Sequence, residues 1–503
     1  MRQRQLFLNA LTTSIQVIAS AAILFLLYRF LIRAIGMERL GIWSVVLATT
    51  SIVALAHQGF STSIIKFVAK YAARENFGEV STLIQTVVLS IGPAVALIAA
   101  GFYPLARWVL ALVVPRAHFA EACAILPFAL VCLWCNIMQG ILQAGLAGQQ
   151  WITLCNYLEL GGSLSYLLLA FALVPAHGLE GLAVAQALQA AVFVALSWIL
   201  LRRKLPQLPL IPHRWNRNLF REIAAYGLHF QLITASQSLR EPVAKALIAK
   251  FGGLAMTGLY DLASRWVVTF RELIVQANQV LVPTVSNLQE RDAQSLPALY
   301  RESYRMVFFL AVPTFAGLVL LAPLVSRVWI GRYEPMFVEF VCILAVAWLV
   351  NILSNSAYVI DLGTGALRWV TIGCISTAAL NAGLGYLVGH YFGGVAVVAA
   401  SAFSLAFGYV LILVAYHLAN HVPFVLLLPD ESRELLTSSA ICAAICLPLS
   451  IFLRAHASGW VQVAVAAVLL ALLLIPVWRH PLRKRLLQWA FSRTPSTIRA
   501  EAS

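Results

Sequence analysis

Charged residues are scarce in this sequence. Only 11% of its 503 residues are Asp, Glu, Lys or Arg, whereas 61% are hydrophobic. A soluble chain needs about 25% charged residues to cover its surface, so the composition excludes a soluble globular fold. Residues 6–27 and 80–100 are long apolar runs. Because a helix of about 20 apolar residues crosses the bilayer and satisfies its own backbone, the composition predicts an all-α integral membrane protein.

The motifs of several enzyme classes are missing as well. No phosphate-binding GxxxxGKS or GxxxxGKT loop occurs, and none of the six lysines follows a glycine, which argues against ATP hydrolysis. No HExxH or other metal-ligand cluster occurs, and no loop is long enough for a soluble catalytic domain. Cys132 and Cys135 form a lone CxxC inside an apolar run, which indicates packing residues. We therefore expect a transporter without cofactor or metal and not an enzyme, with H⁺ or Na⁺ as the candidate coupling ion.

The net charge of +15 does not indicate nucleic-acid binding. The basic residues lie mainly between apolar runs, at 202–204, 214–221 and 479–485, where they mark the cytoplasmic side. Apolar runs divided by charged or Gly/Pro residues predict about 14 spans. The excess of Lys and Arg in the segments on one side predicts that both termini lie in the cytoplasm. The predicted spans are 6–32, 40–62, 79–102, 120–145, 152–175, 180–201, 223–249, 256–285, 304–326, 337–360, 368–390, 394–418, 437–453 and 460–478.

An internal repeat relates the two halves of the chain. The segment from Arg33 through Gly36 and Gly41 to Trp43 matches the segment from Lys250 through Gly253 and Gly258 to Tyr260, 217 residues later. Residues 145–151 match 363–369 at an offset of 218, and 181–185 resemble 394–398. This order predicts two pseudo-symmetric six-helix bundles around a central cavity, plus two C-terminal helices. The predicted regions are the half 1–205, a basic cytoplasmic linker 206–222, the half 223–420, two helices in 421–478 and a basic cytoplasmic tail 479–503.

The two glycine turns and the segment Val282-Pro283-Thr-Val-Ser286 resemble the multidrug/oligosaccharidyl-lipid/polysaccharide (MOP) exporter superfamily. Residues 1–420 are most similar to its polysaccharide-transporter branch, the Wzx-type flippases. The two additional spans resemble those of the fourteen-helix members, which include MurJ-like lipid II flippases. Many members carry an Asp early in the seventh helix, and Ala244 stands in that place here.

Charged side chains at lipid depth are the candidate functional residues. Gln237, Glu241 and Lys245 are spaced by four and share one helical face. A charge at mid-membrane costs about 2.5–3.5 kcal/mol on insertion scales, so it faces water, a partner or a ligand. The candidate substrate-binding residues are Arg240, Lys245, Arg265, Arg271, Gln237 and Lys66, and the candidate ion-coupling acids are Glu159, Asp261 and Glu241.

Two interpretations of these residues stay open at the level of sequence. A basic cavity would attract a diphosphate or an acidic sugar, whereas internal pairing of Asp261 with Arg265 or of Glu241 with Lys245 would only hold two helices together. Glu159 is a lone acid on the polar stripe Asn156-Glu159-Ser163, and such stripes also serve as interhelical hydrogen bonds. Lys66 fits both a substrate contact and a cytoplasmic anchor.

The resemblance implies a secondary flippase of the bacterial cytoplasmic membrane that moves a polyprenyl-diphosphate-linked oligosaccharide by alternating access. The expected partners are this lipid-linked oligosaccharide, membrane lipid, and a polysaccharide polymerase with other export components, without nucleic acid. The alternatives are a multidrug/cation antiporter of the same superfamily and a membrane glycosyltransferase or polymerase.

Overall fold

The computed structural model describes residues 2–51, 58–72, 74–228, 231–279, 285, 293–456 and 459–483. In these ranges the chain forms fifteen α-helices and three short 3₁₀ helices, Ala293–Ser295, Phe424–Leu427 and Asp430–Ser432, without a strand. The α-helices are α1 Arg2–Ser51, α2 Gln58–Ala72, α3 Phe77–Val113, α4 Arg116–Gly148, α5 Ile152–Lys204, α6 Arg217–Leu228, α7 Gln231–Gly252, α8 Leu254–Gln279, α9 Leu296–Ile330, α10 Pro335–Leu353, α11 Asn355–Thr364, α12 Leu367–Phe392, α13 Gly394–Ala419, α14 Arg433–His456 and α15 Gly459–Arg479.

The helices confirm the all-α membrane fold that hydropathy predicts. Eight of the described helical segments are long and apolar enough, by length and composition, to cross a membrane. Two helices contain more than one predicted span, because Gly36 breaks the helical geometry inside α1 and Gly178 breaks it inside α5. The number of fourteen crossings stays a prediction. The predicted segment 282–286, apart from Val285, and the end of the tail, 484–503, lie outside the described residues.

The chain forms two compact units. Unit 1 comprises Met1–Leu262 and Cys374–Ser404, and unit 2 comprises Ala263–Gly373 and Leu405–Ser503. The core of unit 1 contains residues of the four helices α2, α3, α4 and α5. The fully buried Ile64, Leu83 and Ile141 belong to it. In unit 2, the two C-terminal helices pack on α9, where Leu320 meets Leu473. A division into compact units is no test of a duplication, so the two predicted halves remain a prediction.

The two repeated glycine turns touch each other within unit 1. Gly36 and Gly253 both have a positive φ, 82° and 84°, which favours glycine. A Cβ at Gly41 would lie within 2 Å of the Leu254 carbonyl oxygen, and a Cβ at Gly258 would lie 2.6 Å from the Met37 carbonyl oxygen. The repeat pairs residue 37 with 254 and residue 41 with 258, so the contact is reciprocal, as at a two-fold interface.

The segment that follows α5 is held by buried polar side chains of α3. The Gln85 side-chain oxygen accepts hydrogen bonds from the backbone N–H groups of His213 and Arg214, both at 3.1 Å. The Thr86 hydroxyl accepts one from the Asn216 N–H at 3.1 Å. Non-helical N–H groups need such acceptors when water is excluded. The basic linker is therefore fixed to unit 1 by side-chain hydrogen bonds.

We expect the substitution Gln85→Leu to release this linker, because two backbone N–H groups lose their acceptor. Tryptic cleavage after the exposed Arg214 and Arg217 should then become several-fold faster, as measured by mass spectrometry of the membrane-embedded protein. Thr82→Val is the matched control, since the Thr82 hydroxyl donates only to Gly78 of its own helix. Equal cleavage rates in Gln85→Leu and the control would contradict the anchoring.

Candidate functional site

Helix α7 carries a group of charged residues, two of which are buried bases. It spans Gln231–Gly252 with Pro242 inside, and its neighbours in unit 1 include α1. Arg240 and Lys245 are 6% and 7% exposed. Fully buried bases are rare unless they are paired. The side chains around α7 therefore determine what these two bases do.

Lys245 lies between two carboxylates. Its Nζ is 2.6 Å from Asp261 Oδ1 and 3.0 Å from Glu241 Oε1. The Tyr28 hydroxyl of α1 donates to the other oxygen of Asp261 at 3.3 Å. Asp261 is 1% exposed, whereas the Glu241 side chain is 41% exposed. The arrangement is an ion triad, Glu241–Lys245–Asp261, with one buried acid and one accessible acid.

The triad answers the question of pairing that the sequence leaves open. Glu241 pairs with Lys245 as one interpretation predicts, but Asp261 also pairs with Lys245, from the next helix. The two bases Arg240 and Lys245 and the two acids cancel in formal charge. A head-group contact from Lys245 therefore requires the triad to open, and its role in substrate binding stays a prediction.

The remaining predicted residues of α7 contact α12. The Asn381 side-chain amide donates to the backbone oxygen of Arg240 at 2.9 Å, two residues before Pro242. The Gln237 amide donates to the Cys374 sulfur at 3.4 Å. Asn381 and Tyr28 were not among the predicted site residues, because their partners Arg240 and Asp261 lie far from them in the sequence.

Unit 2 contains the two other predicted arginines, both on α8. Arg271 donates from Nη1 to Glu272 at 2.6 Å and from Nε to the Asn351 side-chain oxygen at 3.2 Å. Its guanidinium also lies 5.1 Å from the ring of Trp348. Arg265 is half-buried and lies six residues earlier on the same helix. Arg271 is thus paired locally, and its contact with a substrate remains untested.

The polar stripe of α5 faces the polar stripe of α1. Gln16 donates to the Glu159 carboxylate at 3.0 Å, and Asn156 donates to the Thr12 hydroxyl at 3.2 Å. Ser163 approaches Ser20 at 3.5 Å. These contacts are the interhelical hydrogen bonds that one interpretation predicts. Glu159 itself is exposed on the protein surface, as is Lys66 on α2.

The sequence of the chain matches a family profile described as "Polysaccharide biosynthesis protein" over residues 30–336, which is more than half of the chain. The chain belongs to this family, within the MOP superfamily. It is a multi-pass membrane transporter of that superfamily. No curated protein matches it in sequence.

Solved structures of the MOP superfamily share its fold. The lipid II flippase MurJ in an inward closed conformation has a TM-score of 0.69 at 12% identity, with 94% of this chain and 99% of that chain covered. An inward-facing MATE multidrug transporter also has 0.69, at 16% identity with 82% and 99% covered. A mutant Vibrio cholerae MATE transporter has 0.61, at 16% identity with 84% and 98% covered.

The MOP fold leaves the chemistry of the site to individual side chains. In the described part of the chain, no group of three or more His, Cys, Asp or Glu side chains is arranged to hold a metal ion. The polar contacts of α7 in this transporter are ion pairs and hydrogen bonds, with both ion pairs at the Lys245 ammonium.

We expect Lys245→Met to destabilise the protein by about 3–5 kcal/mol, because Asp261 then keeps a buried charge without its cation. Adding Asp261→Asn should restore most of the loss, since the charge is removed as well. Thermal unfolding in detergent, followed by size-exclusion fluorescence, measures both effects. Lys250→Met on the same helix is the control, because Lys250 is exposed. If Lys245→Met is as stable as Lys250→Met, the triad contributes nothing to the stability of the protein.

Proposed function

We propose that this transporter is a secondary flippase that moves a polyprenyl-diphosphate-linked oligosaccharide across the bacterial cytoplasmic membrane, with both termini in the cytoplasm. The family match to polysaccharide biosynthesis proteins carries the proposal. MurJ, whose printed name is lipid II flippase, supports a lipid-linked substrate, because its fold covers 94% of this chain. The MATE transporters cover 82% and 84% of this chain. The part that they leave unmatched is similar in length to the segment after residue 420, which contains the two additional predicted spans.

The ion triad gives this function a mechanism for head-group capture. Glu241 is accessible and Asp261 is not. An entering anion therefore displaces the Glu241 carboxylate from Lys245, while the ion pair between Asp261 and Lys245 is retained. A diphosphate offers several charged oxygens, and charge-assisted hydrogen bonds are stronger than neutral ones. Arg240 supplies a guanidinium group suited to bidentate phosphate contacts, and Arg265, a residue of unit 2, carries the same chemistry. The lipid tail stays in the bilayer, and alternating access exposes the head group on the other side.

A multidrug/cation antiporter is the second candidate, favoured by the shared fold with MATE transporters. Such a transporter needs an accessible acid for a cationic substrate. Glu159 is one, but the cluster around α7 contains as many bases as acids. The cluster around α7 therefore has no net negative charge to attract a cation.

The proposal predicts that Arg265→Ala inserts normally and yet loses most of its export. One charge-assisted contact is worth about 1.5–3 kcal/mol, which corresponds to roughly a 10- to 100-fold slower initial rate. Arg265→Lys should retain part of the rate, since it keeps the charge without the planar fork. The measurement combines surface glycan with the sidedness of the lipid-linked precursor, at equal membrane levels of each variant.

Arg332→Ala is the control for that experiment, because Arg332 is 78% exposed and pairs only with the neighbouring Glu334 in the described structure. Export by Arg265→Ala at the rate of this control would remove Arg265 from the site. If deletion of the whole transporter leaves glycans intact but raises sensitivity to cationic drugs, the antiporter is the correct function.

Glu159 is the proposed ion-coupling acid of the first half. Glu159→Gln keeps an oxygen that accepts from Gln16 but can no longer bind or release a proton. We expect precursor translocation in the variant to become insensitive to dissipation of the H⁺ or Na⁺ gradient by ionophores. Glu180→Gln is the control, an exposed acid on the same helix. A gradient dependence like that of the control would exclude Glu159 as the coupling residue.

A further inference from the structure

The basic linker, residues 206–222, lies on unit 1 in a fixed conformation that none of the preceding roles uses. Besides the hydrogen bonds from its N–H groups to α3, its Gln207 carbonyl oxygen accepts from the Ser81 hydroxyl at 2.9 Å. The Trp215 indole N–H donates to the Ser90 hydroxyl at 2.8 Å. Because Ser81 and Ser90 lie nine residues apart on α3, the linker follows this helix for about 13 Å.

The linker lies where the sequence of α3 changes from polar to apolar. The first turns of the helix contain Glu79 and the polar side chains that hold the linker, whereas Val87 through Val113 are mostly apolar. The 37 residues of α3 measure about 55 Å, which exceeds the ~30 Å of hydrocarbon in a bilayer. The polar turns of α3 therefore extend beyond the hydrocarbon, and the linker lies at the boundary between acyl chains and head groups.

The exposed side of the linker combines large apolar side chains with arginines. Leu210, Ile211 and Trp215 are 60%, 74% and 54% exposed. Arg214 and Arg217 are exposed beside them, and in the described part of the chain neither guanidinium group has an acidic partner. Segments that bind at a membrane surface have this composition, because apolar side chains enter the acyl region while bases meet phosphate groups.

The charge of this surface has one sign. Segment 202–222 contains six exposed bases and one acid, Glu222. The Glu222 carboxylate lies 3.7 Å from the Lys70 ammonium of α2, so a base outside the segment accompanies it. Lys204 lies 4.0 Å above the ring of Trp151, which brings the start and the end of α5 to the same side. The surface is therefore complementary to an anionic partner.

We propose that the basic linker is a binding site for anionic phospholipid of the bilayer. The phosphodiester head group contacts Arg214 and Arg217, and Ile211 and Trp215 insert between the acyl chains. Arginine suits this role because its planar guanidinium group binds phosphate oxygens in pairs. A soluble acidic partner would match the bases but would not account for apolar side chains at the bilayer boundary. The site requires only the location in the membrane and does not rest on the proposed function.

Short-range quenching of Trp215 by brominated lipid tests the proposal in the full-length transporter. Nanodiscs contain phosphatidylglycerol and phosphatidylcholine in one fixed ratio, with bromine in the acyl chains of one lipid or the other. The difference between the wild type and Trp215→Phe isolates the signal of this residue. We expect brominated phosphatidylglycerol to quench Trp215 several-fold more, per molecule of lipid, than brominated phosphatidylcholine. High NaCl should weaken this preference, since salt screens charges at an exposed surface.

The arginine variants test the head-group contacts. Arg214→Gln and Arg217→Gln should each lower the preference for phosphatidylglycerol roughly five-fold, because each removes one base near the phosphate. Arg332→Gln is the control and should leave it unchanged, since Arg332 is an exposed arginine of unit 2. Gln85→Leu keeps every base and should also lower the preference, because the arginines are then no longer held beside Trp215.

Three results would overturn the proposal. Equal quenching by the two brominated lipids would exclude an anionic lipid site. Quenching of Trp215 by aqueous iodide and by neither lipid would place the linker in water, where a soluble acidic partner fits better. A preference that Gln85→Leu leaves unchanged would show that charge acts without a fixed site. Loss of glycan export in the preceding experiments does not affect these measurements, so the two proposals fail separately.

Discussion

Lipid supplies neither hydrogen bonds nor counter-ions, and this constraint determines where each polar group of the chain is placed. The helices satisfy the backbone internally, and where the chain leaves a helix, side chains take over, as Gln85 does for the linker. Charges obey the same constraint. Lys245 enters the interior of unit 1 only because Asp261 and Glu241 reach it from two helices.

The same constraint explains the glycine turns. Without a strong hydrophobic force between helices in lipid, close packing of small residues holds helices together. Gly41 and Gly258 let two backbone segments approach so closely that any Cβ would collide with a carbonyl oxygen. The two glycine segments that match in sequence thus pack against each other within unit 1, whereas the duplication of the halves stays a prediction.

Much of the fold could be predicted from the sequence, because hydropathy and glycine spacing act locally. The spans, the breaks near Gly36 and Gly253 and the polar face of α7 follow from such patterns. Partner choice does not, because it depends on how helices are rotated against each other. The predicted partner of Lys245 was Glu241, one turn away on the same helix. Its closer partner, Asp261, lies 16 residues later in the sequence, on α8.

The triad shows what a change of partner requires at a buried cation. If an anion replaced Glu241 at Lys245, the buried Asp261 would still pair with Lys245, whereas the accessible Glu241 would meet solvent. Under the proposed function, the buried acid therefore retains the cation, and the accessible acid is the one that a head group replaces.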